Sequence, residues 1–262
     1  MKLMHLILSV AVFCSTCFPL FAQTNYSLWP RRPEELEKAR LLLGQQKWGE
    51  AAYLLQPFIF DDGVSGREAR KIVSRINIVR YLSRMHPSSS VYVVKPGDTL
   101  PKIATQTKCP VDLLMLFNGI VVPSSLKVGQ KLVYIDMNLR MEIYPGLSEI
   151  TVWDGDALVA SYPIVSHRGT DKIGEEKEEI RVTARESYIQ GKKLPRSAAQ
   201  CIVANKQIRL SNGLVIAGPN GAGNKILSLA QADINELALL IREDNSVTWA
   251  DSPEKKHSES QN

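Results

Sequence analysis

The sequence predicts an α+β multidomain protein, because three different hydrophobic patterns follow one another along its 262 residues. Residues 33–86 repeat apolar side chains at helical spacing, which predicts a helical hairpin or small bundle. Residues 91–135 contain two helical runs between two short β-rich runs, in the order βααβ. Residues 138–249 consist mainly of short predicted strands, with one helix near their end. A leader at 1–22 and a disordered polar tail at 250–262 complete the predicted organisation.

The leader has the layout of a secretory signal peptide. Lys2 supplies a positive start, the apolar run Leu6–Phe13 follows, and the small residue Ala22 precedes the expected cleavage point. A bilayer span requires about 20 apolar residues, so cleavage is favoured over an uncleaved membrane anchor. A lipoprotein is a third alternative, because two cysteines, Cys14 and Cys17, lie late in the apolar stretch. The leader predicts an exported protein of the periplasm or cell envelope.

Charge and cysteine content restrict the classes of ligand. The formal net charge is +5 and falls to about +4 when Lys2 is removed, which suits contact with anionic wall polymer or lipid headgroups. No basic run is long enough to predict nucleic-acid binding. Cys109 and Cys201 lie in different predicted domains, so two separate buried thiols are favoured over a disulfide. Their spacing fits no metal site, and we expect neither a metal nor another cofactor.

Pro33 is a favourable residue for the start of the first helix, because it lacks the backbone N–H that would be unpaired there. Gly44 is a typical helix end, and a second helix follows from Trp48 to near Pro57. Residues 39–55 resemble one tetratricopeptide-like hairpin. Such repeats need neighbours to bury their faces, so we favour a small bundle that serves as a spacer or docking surface. Cell-wall enzymes and division proteins are its candidate partners.

The most informative run is Val91–Leu100, which reads VYVVKPGDTL. Further motifs follow it in order: Ile103-Ala104, Val111–Leu114, Phe117–Gly119 and Leu126–Leu132. The whole segment 91–135 resembles a LysM domain, and both of its ends fit the pattern. In physical terms, Gly97 permits a turn, Asp98 or Thr99 can cap the first helix, and Asn118-Gly119 can end the second.

The resemblance implies a shallow groove between the loops Gly97–Leu100 and Asn118–Val122. LysM domains bind glycans that contain N-acetylglucosamine, so the expected partner is the glycan strand of peptidoglycan. Backbone polar groups are expected to pair with acetamido groups, while Leu100 and Ile120 cover sugar faces. The alternative is a spacer that has lost its glycan. The candidate glycan-binding residues are Gly97, Asp98, Thr99, Leu100, Asn118, Gly119, Ile120 and Val121.

Residues 138–249 resemble the L,D-transpeptidase catalytic domain, which crosslinks the stem peptides of peptidoglycan. The resemblance rests on Leu139–Tyr144, Ala160–Ser166 and Ile208–Ile216. The decisive catalytic motifs are absent, because Ala217 replaces the family's histidine and Ile226 its nucleophilic cysteine. Acyl transfer needs a thiolate with a base close by. We therefore expect a domain without catalytic residues.

An active L,D-transpeptidase with displaced catalytic residues is the enzyme alternative. Cys201 and His167 are the only thiol and imidazole between residues 138 and 249, and we expect a core cysteine and a surface histidine. A third alternative is an adaptor that acts through the helical domain. The favoured prediction is an exported, non-catalytic, peptidoglycan-binding protein.

Overall fold

The computed structural model describes residues 34–170, 179–195 and 204–253. Contacts divide the chain into two compact units, residues 1–72 and 73–262. The predicted leader, Cys201 and most of the predicted tail lie outside the described residues. Within the three described ranges, none of the helices combines the length and the apolar character needed to cross a membrane.

The first unit is helical, as predicted. Helix α1 (Glu34–Gly44) packs against α2 (Trp48–Leu55), and a short 3-10 helix (Gln56–Phe60) follows α2. Helix α3 (Val64–Tyr81) begins in this unit and continues into the second. The interior contains one fully buried cation, Arg70, whose Nη1 donates to the carbonyl oxygens of Ile59 (3.0 Å) and Asp61 (2.6 Å). The apolar core residues of this unit include Leu36, Ala39, Ala51, Leu55 and Ile59.

The second unit contains the βααβ segment, whose predicted order is confirmed. Its elements are β1 (Ser89–Val93), α4 (Leu100–Thr107), α5 (Val111–Asn118), a 3-10 turn (Pro123–Ser125) and β2 (Lys131–Ile135). The two strands pair antiparallel, with Val91 opposite Val133.

A ten-stranded, mostly antiparallel sheet follows, together with helix α6 (Gln231–Leu240). The strand order is β5-β4-β3-β12-β7-β9-β10-β11-β6, and β8 pairs with β7 outside that path. Two neighbouring pairs, β3–β12 and β10–β11, are parallel. The strands are β3 (Arg140–Tyr144), β4 (Glu149–Asp154), β5 (Ala157–Pro163), β6 (Ser166–Arg168), β7 (Ile180–Ile189), β8 (Lys192–Lys193), β9 (Asn205–Leu210), β10 (Val215–Ala217), β11 (Ile226–Ser228) and β12 (Ser246–Trp249).

The outer edge of β5 contacts side chains from the second half of α3. Asn77 Nδ2 donates to the Leu158 carbonyl at 2.5 Å, and the Ser161 N–H donates to Ser74 Oγ at 2.9 Å. These side chains satisfy backbone groups that would otherwise be open at the edge of the sheet. The residues Asp154–Asp156 are typical of a hairpin turn, and they connect β4 to β5.

The βααβ segment and the large sheet share one apolar core. Leu113 and Leu114 of α5 belong to the same buried cluster as Ile208 of β9 and Leu237 of α6. Polar contacts support this packing, because the Asp112 carboxylate accepts from Arg185 Nη2 of β7 and, at 3.1 Å, from Lys206 Nζ of β9.

Candidate functional site

The candidate site consists of two loops of the βααβ segment, and the first connects β1 to α4. Within this first loop (residues 94–99), Asp98 Oδ2 accepts from the Lys95 backbone N–H at 2.7 Å and from the Tyr92 hydroxyl at 2.8 Å. These two hydrogen bonds, the Lys95 bond first, lower the pKa of Asp98 below its ordinary value. Gly97 has φ +78°, a conformation that glycine adopts without strain. Asp98 therefore holds the turn in a defined shape through hydrogen bonds to neighbouring residues of the same domain.

Thr99 begins α4. Its backbone is extended, and its Oγ1 accepts from the Lys102 N–H at 3.4 Å, which makes it the N-cap residue. Of the two residues that the sequence proposed as helix caps, Thr99 therefore occupies the cap position. The Lys102 side chain also contacts the first loop, where its Nζ donates to the Gly97 carbonyl at 3.2 Å.

The second loop (residues 119–130) begins at the end of α5, where Asn118 connects the helix to β2. Its Nδ2 donates to the carbonyls of Leu114 and Val133, and its Oδ1 accepts from the Val133 N–H, each at 2.8 Å. Gly119 follows with φ +61° and closes the helix. The Asn118 amide is thus fully engaged within the protein and determines where the second loop starts.

Burial contradicts the prediction that Leu100 and Ile120 cover sugar faces. Leu100 is 1% exposed and Ile120 is 5% exposed, so both side chains pack beneath the loops in the core. Val121 is 45% exposed and Val122 is 46% exposed. Val128, later in the same loop, is 66% exposed, so the accessible aliphatic surface of the second loop comes mainly from three valines.

The strand register brings the start of the first loop and the end of the second loop to the same end of the β1–β2 ribbon. Val93, the last residue of β1, pairs with Lys131, the first residue of β2. Beyond them, the Val94 N–H donates to the Gln130 carbonyl at 2.9 Å. Four exposed lysines occur in or next to the loops, and they favour an uncharged or anionic polymer over a cationic one: Lys95, Lys102, Lys127 and Lys131.

Comparison with known families identifies this segment. Residues 92–133 match the family described as the LysM domain. This segment is a LysM domain. LysM domains bind glycans such as peptidoglycan, and they are typically found outside the cell or in its envelope. A comparison with curated proteins found no match to the chain.

The LysM domain brings together all eight residues that the sequence proposed as glycan-binding, since they lie in or directly beside its two loops. Two further contributors were missed. Tyr92 fixes the first loop through Asp98, and Val122 adds exposed aliphatic surface. The periodicity of α4 could have indicated that Leu100 is buried. Leu100, Ile103, Ala104 and Thr107 follow helical spacing, and all four are buried.

Ala217 and Ile226, the two positions that the sequence analysis compared with a catalytic pair, lie close together in the sheet. Ala217 ends β10 and Ile226 begins the neighbouring parallel strand β11, and both join Val215 in a small buried apolar cluster. Gly221, in the loop between these strands, lies so close that a Cβ atom on it would be 2.3 Å from the Ala217 Cβ. Apolar side chains and loop backbone therefore fill this space.

His167 lies in an exposed position on β6, opposite Leu227 of β11. Its Nδ1 lies 2.8 Å from Thr170 Oγ1, within hydrogen-bonding distance. The expectation of a surface histidine is confirmed. Cys109 is buried and free, as expected, whereas Cys201 lies outside the described residues.

Proposed function

We propose that the LysM domain binds the N-acetylglucosamine-containing glycan strands of peptidoglycan at the surface formed by its two loops. The observation that carries this proposal is the exposure of Val121 and Val122, which follow Gly119 and Ile120 in the second loop. Carbohydrate sites commonly combine apolar contact with a few directional polar groups. These loops offer both.

Each loop supplies a different part of the contact. In the first turn of α4, Pro101 has no N–H, Thr99 Oγ1 accepts from the Lys102 N–H, and the Thr99 carbonyl accepts from the Ile103 N–H. The Leu100 N–H is therefore the donor of this turn that is left for an acetamido carbonyl.

The two valines offer an aliphatic surface to a sugar face. Asp98 Oδ2 and the Asn118 amide are already hydrogen-bonded within the protein, so these two side chains position the loops. We expect weak binding, because an open, solvated surface leaves little net free energy after ordering costs.

Sedimentation with purified peptidoglycan sacculi tests the proposal. A deletion of residues 91–135 would uncover the apolar side chains that α5 covers, such as Ile208, so point variants are cleaner. In the double variant Val121→Asp, Val122→Asp, charge replaces exposed aliphatic surface at little folding cost. The matched control is Val165→Asp, at a position that is 65% exposed in the sheet region. We expect the wild type and the control to sediment with sacculi and the double variant to remain in the supernatant.

We also propose that residues 138–249 form a degenerate L,D-transpeptidase-like domain without activity. The apolar cluster of Val215, Ala217 and Ile226 supports this, as does the close approach of Gly221. The test is incubation with a carbapenem, followed by intact-mass measurement. No acyl adduct is expected on the native protein, and an adduct at Cys201 would instead support the active-enzyme alternative.

We further propose export through cleavage after Ala22 and a docking role for the helical region. N-terminal sequencing of the exported protein should begin at Gln23, and an intact Met1 or a lipidated cysteine would contradict this.

The docking role is supported by two exposed apolar residues, Leu41 at 68% and Tyr53 at 77%. A pull-down that compares wild type with Leu41→Ser, Tyr53→Ser should lose an envelope protein if this surface binds one.

A further inference from the structure

The turn between α3 and β1, residues 82–88, presents an apolar side chain to solvent. Met85 in this turn is 92% exposed, and Val79, on the last turn of α3, is 56% exposed. A side chain as exposed as Met85 protrudes from the surface, and its burial against an apolar partner would be favourable. We call the side chains of Val79, Arg80, Arg84 and Met85 the basic tip.

Hydrogen bonds give this turn a defined shape, so the exposure of Met85 is a property of the fold. The Ser83 N–H donates to the Arg80 carbonyl at 3.2 Å, and the His86 N–H donates to the Ser83 carbonyl at 3.1 Å. The Ser89 N–H then donates to the His86 carbonyl at 2.9 Å. The Met85 N–H itself donates to Ser83 Oγ at 3.1 Å. These bonds fix the backbone from which the Met85 side chain projects.

The imidazole of His86 anchors the turn to α3. Its ring centroid lies 4.8 Å from that of Tyr81, whose hydroxyl donates to Asp154 Oδ2 at 2.9 Å at the end of β4. Burial, and after it the charge of Arg80, lower the pKa of His86 below its ordinary value. The imidazole is therefore mainly neutral at neutral pH. The positive charge of the basic tip comes from its two arginines.

The basic tip lies in a segment of the chain without carboxylates. No Asp or Glu occurs between Glu68 and Asp98. Arg80 and Arg84 are exposed, and within the part of the chain that the structure describes neither of them forms an ion pair. Asp154 contributes one nearby negative charge, which the two arginines exceed. The basic tip therefore attracts anions, and this attraction decreases as salt is added.

Exposed arginines beside exposed apolar side chains fit the surface of a bilayer that contains anionic lipid. A guanidinium pairs well with the phosphate of a headgroup. An apolar side chain can enter the boundary between headgroups and acyl chains. Four side chains are far fewer than the roughly 20 to 30 residues a side of a stable protein interface. A soluble polyanion would engage the arginines but would leave Met85 in water.

We propose that the basic tip binds the surface of a bilayer that contains anionic phospholipid. Arg80 and Arg84 contact headgroup phosphates, and Met85 enters the boundary region, with Val79 beside the headgroups. The contact is peripheral and needs no rearrangement of the turn, because Met85 already protrudes.

The strand register separates the basic tip from the first loop of the LysM domain. Ser89 pairs with Ile135 at one end of the β1–β2 ribbon, and Val93 pairs with Lys131 at the other. The basic tip precedes Ser89, whereas the first loop follows Val93. The lipid contact and this loop therefore lie beyond opposite ends of β1, and the lipid contact does not depend on glycan.

Co-sedimentation of the full chain with vesicles tests the proposal. The vesicles contain either phosphatidylcholine alone or phosphatidylcholine mixed with phosphatidylglycerol, and we expect tighter, salt-sensitive binding to the mixed vesicles. Arg80→Gln, Arg84→Gln should weaken this binding about 25-fold, since each basic residue at an anionic surface contributes about fivefold. The control Lys192→Gln, Lys225→Gln removes the same charge from exposed positions elsewhere and should bind like the wild type.

Two substitutions at Met85 distinguish a bilayer from a soluble polyanion. Met85→Leu keeps an apolar side chain and Met85→Ser removes it, and neither changes the charge. We expect Met85→Ser to bind the mixed vesicles about three- to tenfold more weakly than Met85→Leu. Equal vesicle binding by these two variants, with displacement by inorganic polyphosphate, would identify a soluble polyanion as the ligand and would overturn the proposal.

The proposal is also overturned if the double arginine variant binds mixed vesicles as tightly as the wild type, which is the result expected if the apolar run Leu6–Phe13 carries the binding. An equal loss in the lysine control would overturn it as well, because binding would then follow net charge alone.

Sedimentation with sacculi separates this proposal from the glycan function. The double arginine variant should still sediment with sacculi, and the variant Val121→Asp, Val122→Asp should still bind mixed vesicles. Sacculus binding without vesicle binding in the wild type overturns the basic tip alone, whereas vesicle binding without sacculus binding overturns only the glycan proposal.

Discussion

Gly221 lies directly against Ala217, so closely that a Cβ atom on the glycine would be 2.3 Å from the Cβ of the alanine. The loop between β10 and β11 therefore requires a small residue on both sides of this contact. Any side chain at position 221 would collide with the Ala217 Cβ unless the loop shifted.

Gly221→Ala tests this contact directly. Overpacking of a filled site forces backbone shifts, so we expect a loss of about 1–3 kcal/mol in the free energy of unfolding, measured by urea denaturation. Gly146→Ala is the matched control, because a Cβ there has no heavy atom within 4 Å. An equal, small effect of the two substitutions would show that the loop is not packed on Ala217.

Asn118→Ala should destabilise the LysM domain. The substitution removes three hydrogen bonds of 2.8 Å and leaves the Val133 backbone groups without partners, at a cost of about 2–3 kcal/mol. Asn138→Ala, at an exposed position, is the control. We also expect weaker sedimentation with sacculi, since Asn118 positions the second loop. Unchanged stability and binding would contradict the role assigned to this side chain.

Asp98 should make the LysM domain sensitive to acid. Its pKa is lower in the folded protein than in an unfolded chain, where aspartate titrates near about 3.9. The ionised Asp98 carboxylate therefore stabilises the folded domain at pH values above the unfolded-chain pKa. This stabilisation is lost as the pH falls through the pKa that Asp98 has in the folded protein. NMR titration of the Asp98 carboxyl, folded and in urea, should give the lower value for the folded state. Equal values, or a higher folded value, would contradict the hydrogen bonds from Lys95 and Tyr92.

Much of the local structure was predictable, because it depends on residues close in sequence. The βααβ order, the turn at Asp154–Asp156 and the helix end at Gly119 all follow from periodicity and turn chemistry. The short strands β6, β8 and β11 were not predicted, since two or three residues give too little periodicity to detect.

The long-range contacts were not predictable from these patterns. Asp112 meets Arg185 and Lys206, which are 73 and 94 residues away, and Asn77 meets Leu158, which is 81 residues away. Such pairs depend on the order of strands in the sheet, and no local pattern contains that order. The sequence located the two loops of the LysM domain, but it did not separate the buried Leu100 and Ile120 from the exposed Val121 and Val122.

Asp112→Asn should destabilise the contact between the LysM domain and the sheet. Removing one partner of a buried ion pair leaves cations without their counter-charge, and the expected cost is about 3 kcal/mol in urea denaturation. Asp136→Asn, at an exposed position, is the control. Faster amide hydrogen exchange should appear in α5 and β9 together. Exchange that increases in only one of these elements would contradict a shared structural unit.

The most direct test of the central claim is an amide NMR titration of the full chain with a chitin tetramer. The account predicts saturable shifts at Gly97, Gly119, Val121 and Val122, and their loss in the variant Val121→Asp, Val122→Asp. If neither chitin oligomers nor soluble peptidoglycan fragments shift these amides in the wild type, glycan binding by the two loops is contradicted.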